Sequence, residues 1–460
     1  MTNRRRYQES HPWISISFEL DLRRIPWSLW VLLGEAQSKC EHLAGVPLQP
    51  NVAEQLHKLY LAKGALASTA IEGNTLSESD VMKLLEGKLK LPQSKQYLER
   101  EVQNIVDACN GIVESCARST PGSIDKAAIE VFNRLVLKGL AIDEAFVPGE
   151  VRRHEVGVAR YRGAPTEDCG YLLEKLCSWL GGLQNNQTPV VFAILKAALA
   201  HLYLAWIHPF GDGNGRTARL VEFYLLVSAN VPTVAAHLLS NHYNETRALY
   251  YRQLDASSRS GGDVVPFIVY AVQGFVDGLR TQIALVRKQQ LQVAWANLVH
   301  EMFRDGSSAS AVRKRRLILD LSQMEEPVEK DEITRITPRI AEAYAGRTVR
   351  TLSRDLEDLK RMGLLERVGK KYRAKTELIQ AFLPLRSGRI SDDELPSTVR
   401  EIPPSIAPHR HECVDCGRSY DCTCEDPKEQ LTKKEAEARG WPIRCPECEI
   451  AQTSPQTVAS

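Results

Sequence analysis

The segment HPFGDGNGRTAR at residues 208–219 is denser in chemically active side chains than any other stretch of the chain. Its three glycines permit positive φ angles and let backbone N–H groups approach a ligand closely. Apolar residues at helical spacing run from Ala218 to Leu225, so the pattern predicts a glycine-rich loop that opens a helix. The N-terminus of a helix attracts anions, and Arg216 and Arg219 at i and i+3 reach the same side. The segment therefore predicts a polyphosphate site.

Two further side chains predict chemistry beside this site. Asp212 is a candidate ligand for Mg²⁺, which commonly joins one or two carboxylates to phosphate oxygens. His208 has an ordinary pKa near ~6.5 and can accept a proton at neutral pH. Taken one at a time, these residues are also typical of a core histidine, a turn and a solvated helix face. Their occurrence together in one short segment favours a catalytic loop.

The segment resembles the signature of the Fic (filamentation induced by cAMP) family, H-x-F-x-[DE]-G-N-G-R-x-x-R, at every specified position. The resemblance implies a protein adenylyltransferase, an enzyme that moves AMP from ATP onto a Ser, Thr or Tyr hydroxyl of a target protein. It implies that His208 is the general base and that Asp212 holds Mg²⁺. The residues implied to bind the nucleotide phosphates are Gly213, Asn214, Gly215, Arg216 and Arg219.

An upstream segment, STAIEGN at residues 68–74, ends a predicted helix at about 53–73. Ser68 and Glu72 lie at i and i+4 on one face, which by itself indicates only a helix that ends in a solvated carboxylate. Beside the Fic signature, the segment resembles the family's inhibitory motif, [ST]-x-x-x-E-[GN]. The resemblance implies that Glu72 pairs with Arg219. A carboxylate there removes a partner of the terminal phosphate and repels it, so ATP binds poorly.

Two more regions complete the predicted site. Gly, Pro and alternating apolar residues predict two short strands at about 147–165, in 147–153 and 156–165. This region resembles the family's flap, a hairpin that aligns a target protein by strand addition; the alternative is an ordinary connector. In relatives a Tyr and a polar residue just past it border the adenine. Tyr251 and Ser258 take these places, although many relatives carry Asn at the second, and core packing is the alternative for the tyrosine.

Residues 312–374 predict three helices followed by two short strands about a Gly-Lys turn, which is the order of a winged helix-turn-helix. Between residues 311 and 375 there are 17 Lys and Arg against 11 Asp and Glu, a local excess of six positive charges. This excess is moderate, so charge alone does not decide which partner the module binds.

The third predicted helix of this module carries charges of both signs. Arg347, Arg350 and Arg354 on its exposed face could contact a DNA backbone. Glu357 and Asp358 weaken that interpretation, and winged helices also dock proteins. DNA and protein therefore both stay open as partners.

Six of the 11 cysteines crowd into a tail at residues 409–450: Cys413, Cys416, Cys422, Cys424, Cys445 and Cys448. The two C-x-x-C pairs, 413/416 and 445/448, supply four thiolates suited to a tetrahedral structural Zn²⁺. The pair at 422 and 424 could replace one of them or hold a second ion. Free reduced cysteines are the alternative.

Composition places the chain among soluble globular proteins, with 43% hydrophobic and 25% charged residues. The basic first residues lack the apolar run of a signal peptide. The apolar segment at 189–206 contains Lys196 and His201 and is too short for a confident membrane span. We therefore expect a cytoplasmic protein without a membrane partner. A homo-oligomer is compatible with the sequence, and the net charge of +2 indicates no general attraction to nucleic acid.

The predicted architecture is mainly α. At 460 residues two or three domains are expected. Along the chain we predict five segments: an N-terminal helical region (1–120), an all-helical Fic core with a small β-hairpin flap (121–305), a winged helix domain (306–384), a linker (385–408) and a zinc-ribbon-like tail (409–450).

The predicted function is autoinhibited AMP transfer from ATP with Mg²⁺. One alternative is hydrolytic removal of AMP, alone or beside transfer, with Glu72 positioning a water. The other is a regulator that binds DNA through the winged helix.

Overall fold

The computed structural model describes residues 4–9, 13, 16–119, 122–158, 161–183, 187–304, 306, 308–379, 410–412 and 419–421. Within them the chain is mainly helical, which confirms the predicted class. The predicted linker and all six cysteines of the predicted zinc site lie outside the described residues. From the tail, the structure describes two short strands, β6 (Arg410–Glu412) and β7 (Ser419–Asp421), which pair antiparallel.

A larger core is built from the helices before residue 305. They are α1 (Trp27–Gly45), α2 (Pro50–Ala70), α3 (Glu78–Leu85), α4 (Gln96–Arg118), α5 (Lys126–Val136), α6 (Thr166–Gly182), α7 (Pro189–Ile207), α8 (Asn214–Ser228), α9 (Thr233–Ala236), α10 (Leu238–Glu245), α11 (Arg247–Arg259) and α12 (Val265–Met302). Their buried apolar side chains form one continuous cluster that extends from the N-terminal segment to α12.

Helix α7 lies at the centre of this cluster. It packs against α8 and also contacts α1, α6 and α12. Because it has neighbours on every side, its own residues are apolar all the way around the helix. Among the described residues, α7 alone has the length and composition that could cross a membrane, and 83% of its apolar window is buried inside the protein. Its place in the core accounts for that composition. Its C-terminal end delivers His208 to the loop that follows.

A second, smaller core lies between the end of α12 and the elements that follow it. These are α13 (Ala309–Leu321), β3 (Val328–Glu329), α14 (Pro338–Tyr344), α15 (Val349–Arg361), β4 (Leu365–Val368) and β5 (Lys371–Ala374). The strands form an antiparallel sheet in the order β3-β5-β4, and β4 and β5 are joined by a tight turn. The buried Arg313 on α13 binds the fully buried Asp355 on α15, with Nε to Oδ2 at 2.7 Å, and thereby joins the two helices.

Helices α10 and α11 are separated at Thr246, where φ and ψ are −111° and 36°. The Thr246 hydroxyl binds the His242 carbonyl and the Tyr270 hydroxyl, contacts that no local sequence pattern reveals. In the predicted flap, the strands are β1 (Gly157–Val158) and β2 (Tyr161–Arg162), which pair with each other.

The run at 147–153, predicted as the first of two strands, is therefore not a strand. Gly149 has a φ of +80°, which is outside the range of extended backbone, and its N–H donates to the Asn133 side chain. Further along the run, the Arg152 N–H donates to the Pro209 carbonyl, so this segment binds the catalytic loop instead of a neighbouring strand.

Candidate active site

The loop between α7 and α8 is held in one shape by its own polar groups. His208 ends α7 in the left-handed conformation, with φ of 49° and ψ of 58°. The Asn214 side chain accepts the Phe210 N–H at 2.9 Å and donates to the Phe210 carbonyl at 2.8 Å, while the Phe210 ring is buried in the core. Gly213, at a φ of +74°, makes the turn into α8. Asn214, predicted to bind phosphate, thus uses its amide to close the loop.

A cavity of about 800 Å³ lies over this loop. That volume is within the range of small-molecule and cofactor sites. Its lining includes these predicted site residues: Glu72, His208, Asp212, Gly213, Asn214, Gly215, Tyr251 and Ser258. The predicted phosphate ligands Arg216 and Arg219 do not line the cavity. Both side chains are buried, and each forms an ion pair with an acidic side chain.

Arg219 is held by residues at the end of α2. Its Nη2 donates to Glu72 Oε1 at 2.6 Å and to the Ser68 carbonyl at 2.7 Å, and its Nε donates to the Ser68 hydroxyl at 3.2 Å. The Arg219 side chain is only 1% exposed, whereas that of Glu72 is 35% exposed. Glu72 lies in the turn after α2, which ends at Ala70, and not on the helix as predicted.

The Glu72 carboxylate lies against the N-terminus of α8. A Cβ on Gly215, in the first turn, would collide with Glu72 Oε1, so the carboxylate rests directly on the helix end. Burial by itself would raise the pKa of Glu72. The charge and hydrogen bond of Arg219, together with Arg216 and His208, outweigh it and hold the pKa below its ordinary value. Glu72 is therefore an anion at neutral pH.

His208 lies on the same cavity in its neutral form. Burial and, to a smaller extent, the nearby charge of Arg152 lower the pKa of His208 to about 4. Glu72, Asp212 and a hydrogen bond with the Ala205 backbone act in the opposite direction and are outweighed. A neutral imidazole can accept a proton at pH 7, so the geometry suits a general base.

Asp212 and Arg216 form an ion pair within the loop. Arg216 Nη2 donates to Asp212 Oδ1 at 3.3 Å, and Arg216 Nη1 donates to Glu101 Oε1 on α4 at 3.0 Å. The Asp212 side chain is 44% exposed and faces the cavity. An accessible carboxylate fits Mg²⁺ that is shared with phosphate oxygens. In the described part of the chain no group of three or more His, Cys, Asp or Glu could hold a metal by itself.

Residues 123–226 match the family model described as Fic/DOC family. They form a Fic/DOC family domain. The match lies within the core predicted at 121–305 and includes the loop from His208 to Arg219.

Three similarities to individual proteins extend beyond this domain. The chain is 30% identical over 221 residues to the protein adenylyltransferase fic-1 of Caenorhabditis briggsae and, equally, to that of Caenorhabditis elegans. Each alignment covers 46% of this chain and 41% of the relative, so the chain spans less than half the length of these proteins. A solved structure of a Fic family protein from Desulfovibrio desulfuricans G20 has 19% identity and a TM-score of 0.49, and covers 76% of this chain and 96% of that one.

The far wall of the cavity over the Fic domain's loop is made by α11. Tyr251 is 43% exposed there, and its hydroxyl lies 3.4 Å from the Ile71 carbonyl. Ser258 is buried, and its hydroxyl donates to the Asp255 carbonyl at 2.8 Å. The adjacent Tyr250 packs in the core, where its hydroxyl is 2.8 Å from His201 Nε2. Tyr250 and Tyr251 both line the cavity, and Tyr251 is the more exposed of the two.

Several residues of the Fic domain's site were not predicted from the sequence. Asn133 on α5 donates to the Asp212 carbonyl, Glu101 pairs with Arg216, and Arg152 binds the His208 carbonyl. Each is distant in sequence from the loop and belongs to no motif, so single-sequence patterns carry no signal for it.

We expect the Glu72→Gly substitution to destabilise the ligand-free protein. It leaves the buried guanidinium of Arg219 without its anionic partner, a loss of about 1–3 kcal/mol in the free energy of unfolding. Bound ATP replaces the lost anion and should raise the melting temperature of the variant more than that of the wild type. Thermal unfolding with and without ATP checks this. Equal shifts in both proteins would contradict it.

Proposed function

We propose that this chain is a protein adenylyltransferase that transfers AMP from ATP to a hydroxyl of a target protein. The observation that carries the proposal is the meeting of three groups on one cavity: the neutral His208, the accessible carboxylate of Asp212 and the N-terminus of α8. The match of residues 123–226 and the names of the related adenylyltransferases support it. The proposed target is a protein aligned along the flap at β1 and β2.

In the proposed reaction, the ATP phosphates bind the first turn of α8, where unpaired N–H groups and the helix dipole favour anions. His208 accepts the proton of the target hydroxyl. The hydroxyl oxygen then forms a bond to the α-phosphorus as the bond to the β-phosphate oxygen breaks, and pyrophosphate leaves. Asp212 would hold Mg²⁺, which neutralises phosphate charge when bound.

We propose that the structure is the autoinhibited state of this enzyme. The Glu72 carboxylate rests on Gly215 and pairs with Arg219, so it occupies the anion site of α8 and withdraws a guanidinium from ATP. ATP could bind productively only after Glu72 moves away, because two anions cannot share that site.

The test uses ATP labelled at either the α- or the γ-phosphate, incubated with the Glu72→Gly protein and a cell lysate. AMP transfer requires that protein-bound label come from the α-phosphate and not from the γ-phosphate. Labelling from the γ-phosphate would instead identify a phosphotransferase. The zinc-binding tail and a cytoplasmic location stay predictions from the sequence, and zinc analysis of the purified chain tests the first.

We propose DNA binding by a winged helix at residues 309–379 as a second function. In the structure Arg347, Arg350 and Arg354 are exposed, and none of them forms an ion pair among the described residues. Of the acids on α15, Asp355 and Asp358 are neutralised by arginine and lysine partners within the same module, while Glu357 is exposed. The exposed start of α15 is thus more positive than its sequence indicates, which suits a DNA backbone.

We expect Arg350→Glu to weaken binding to duplex DNA fragments by about tenfold or more at low salt. The slope of log affinity against log salt concentration should also fall by about one for each phosphate that the variant no longer binds. Arg118→Glu is the matched control, because Arg118 is equally exposed but lies on α4 in the other core. Electrophoretic mobility shifts at several salt concentrations measure both quantities. Equal binding by the two variants would contradict DNA binding through α15.

A further inference from the structure

The end of α7 is bound by the segment that carries the flap. A helix C-terminus leaves carbonyls without partners inside the helix. Here four successive carbonyls accept hydrogen bonds from residues 152–164: Trp206 from the Tyr161 hydroxyl at 2.8 Å, Ile207 from the Ala164 N–H at 3.1 Å, His208 from Arg152 Nε at 2.8 Å, and Pro209 from the Arg152 N–H at 2.9 Å. The flap and the backbone of His208 are therefore one connected unit.

Arg152 makes two of these four connections. Its side chain has no exposed surface, and its Nη1 donates to the His154 carbonyl at 2.8 Å and to the Thr166 hydroxyl at 2.9 Å. Its Nη2 donates to the Ala164 carbonyl. The nearest carboxylate, Glu155, is 3.8 Å away and 52% exposed. A buried guanidinium without a close counterion is unfavourable unless hydrogen bonds satisfy its donors, and here its fixed fork reaches acceptors at both ends of the hairpin.

The conformation of His208 explains why such a clamp is required. A φ of 49° is in the left-handed region, which is unfavourable for residues that have a Cβ. A relaxation of this residue would rotate its carbonyl away from Arg152 Nε and redirect its imidazole. The hydrogen bond from Arg152 opposes that rotation directly.

We propose that Arg152 is the positioning residue of the catalytic base: it locks the His208 backbone to the flap, so that the imidazole keeps a fixed place relative to a target bound there. This inference rests on the proposed role of His208. It predicts that Arg152 acts on the rate of transfer and not on the binding of ATP, because Arg152 is not among the residues that line the cavity at the α8 N-terminus.

Charge provides an independent readout. The charged groups that face the His208 imidazole are Arg152 from the flap segment, Glu72 from the turn after α2, and Asp212 from the loop. Of these, only Arg152 lowers the pKa of His208. Burial is the largest cause of the low pKa of His208, so removal of Arg152 should raise that pKa only partly from about 4, whereas lysine in its place should keep it low.

The experiment compares Arg152→Met and Arg152→Lys in the full chain. In the Glu72→Gly background, kcat for AMP transfer should fall by about 10–100-fold in both, with the KM for ATP within about twofold of the parent. In the wild-type background, NMR of ¹³C-labelled histidine follows the His208 imidazole, assigned by its loss in His208→Gln. The pH midpoint of this signal should be higher in Arg152→Met than in the parent and in Arg152→Lys.

Arg313→Met is the matched control, because it also removes a buried guanidinium but from the second core, and it should change neither kcat nor the His208 titration. An unchanged kcat in either variant, or an unshifted His208 signal in folded Arg152→Met, would overturn the proposal. If Arg152→Met fails to fold, a kcat loss in Arg152→Lys with unchanged KM supports it. If Glu72→Gly transfers no AMP while the titration shifts as expected, the positioning role stands and the proposed function fails.

Discussion

Replacing Glu72 by glycine is expected to raise the rate of AMP transfer from ATP by about 100-fold or more. The substitution removes the carboxylate that rests on Gly215 and frees Arg219 for the terminal phosphate. A preorganised donor aimed at developing charge contributes about 10²–10³ to a rate, and here the donor and the helix N-terminus are released together. Initial rates with α-labelled ATP measure the effect.

Two variants control for this result. Glu78→Gly removes a nearby exposed glutamate at the start of α3, whose Oε2 lies 3.9 Å from Lys63, and it should leave the rate unchanged. Glu72→Gln keeps the shape of the side chain without its charge and should activate partly, because a neutral amide still fills the site. Wild-type rates in Glu72→Gly with ATP bound would mean that Glu72 is not the inhibitory group.

Replacing His208 is expected to abolish transfer in the Glu72→Gly background. General base catalysis contributes about 10²–10⁴ to a rate, and His208 is a neutral base that lines the cavity together with Tyr161 of the flap. His208→Ala also places alanine at a strained positive φ, so His208→Asn is the better variant, since asparagine tolerates that conformation. Both should bind ATP as the parent does and transfer AMP at least about 100-fold more slowly.

His57→Ala serves as the control for this prediction, because His57 is an exposed histidine on α2. It should leave transfer unchanged. If His208→Asn transferred AMP at the parental rate, another group would have to accept the proton of the target hydroxyl.

Hydrolytic removal of AMP, unlike AMP transfer, is expected to require Glu72. An AMP-modified target incubated with the wild type and with Glu72→Gly distinguishes the two reactions. Release of AMP by the wild type alone would assign Glu72 to positioning a water. Release by neither protein leaves transfer as the activity of this site.

The sequence predicted the parts of the site that are local in the chain. The loop at 208–219, its glycines and the helix that follows are encoded in one continuous segment, so their arrangement could be inferred before the fold was known. The helical class followed from the 3.6-residue periodicity of the apolar residues. The contact between Glu72 and Arg219 joins residues that are 147 positions apart in the sequence, and only the resemblance to the inhibitory motif predicted it.

The remainder of the site depends on tertiary contacts that have no local signature. Arg152 and Asn133 fix the loop from separate elements, and their partners are backbone carbonyls, which every residue possesses. The same reason explains the strand wrongly predicted at 147–153: its alternating pattern suits a strand, but its N–H and side-chain donors are used by the loop at His208 and Pro209.

Mass spectrometry of the Glu72→Gly protein after incubation with ATP and Mg²⁺ tests the central claim most directly. We expect an AMP moiety on a Ser, Thr or Tyr hydroxyl of this chain or of a lysate protein, and no such adduct with the Glu72→Gly/His208→Asn double variant. A phosphate adduct alone, or the absence of any adduct while ATP is bound, would contradict the claim that this site transfers AMP and is closed by Glu72.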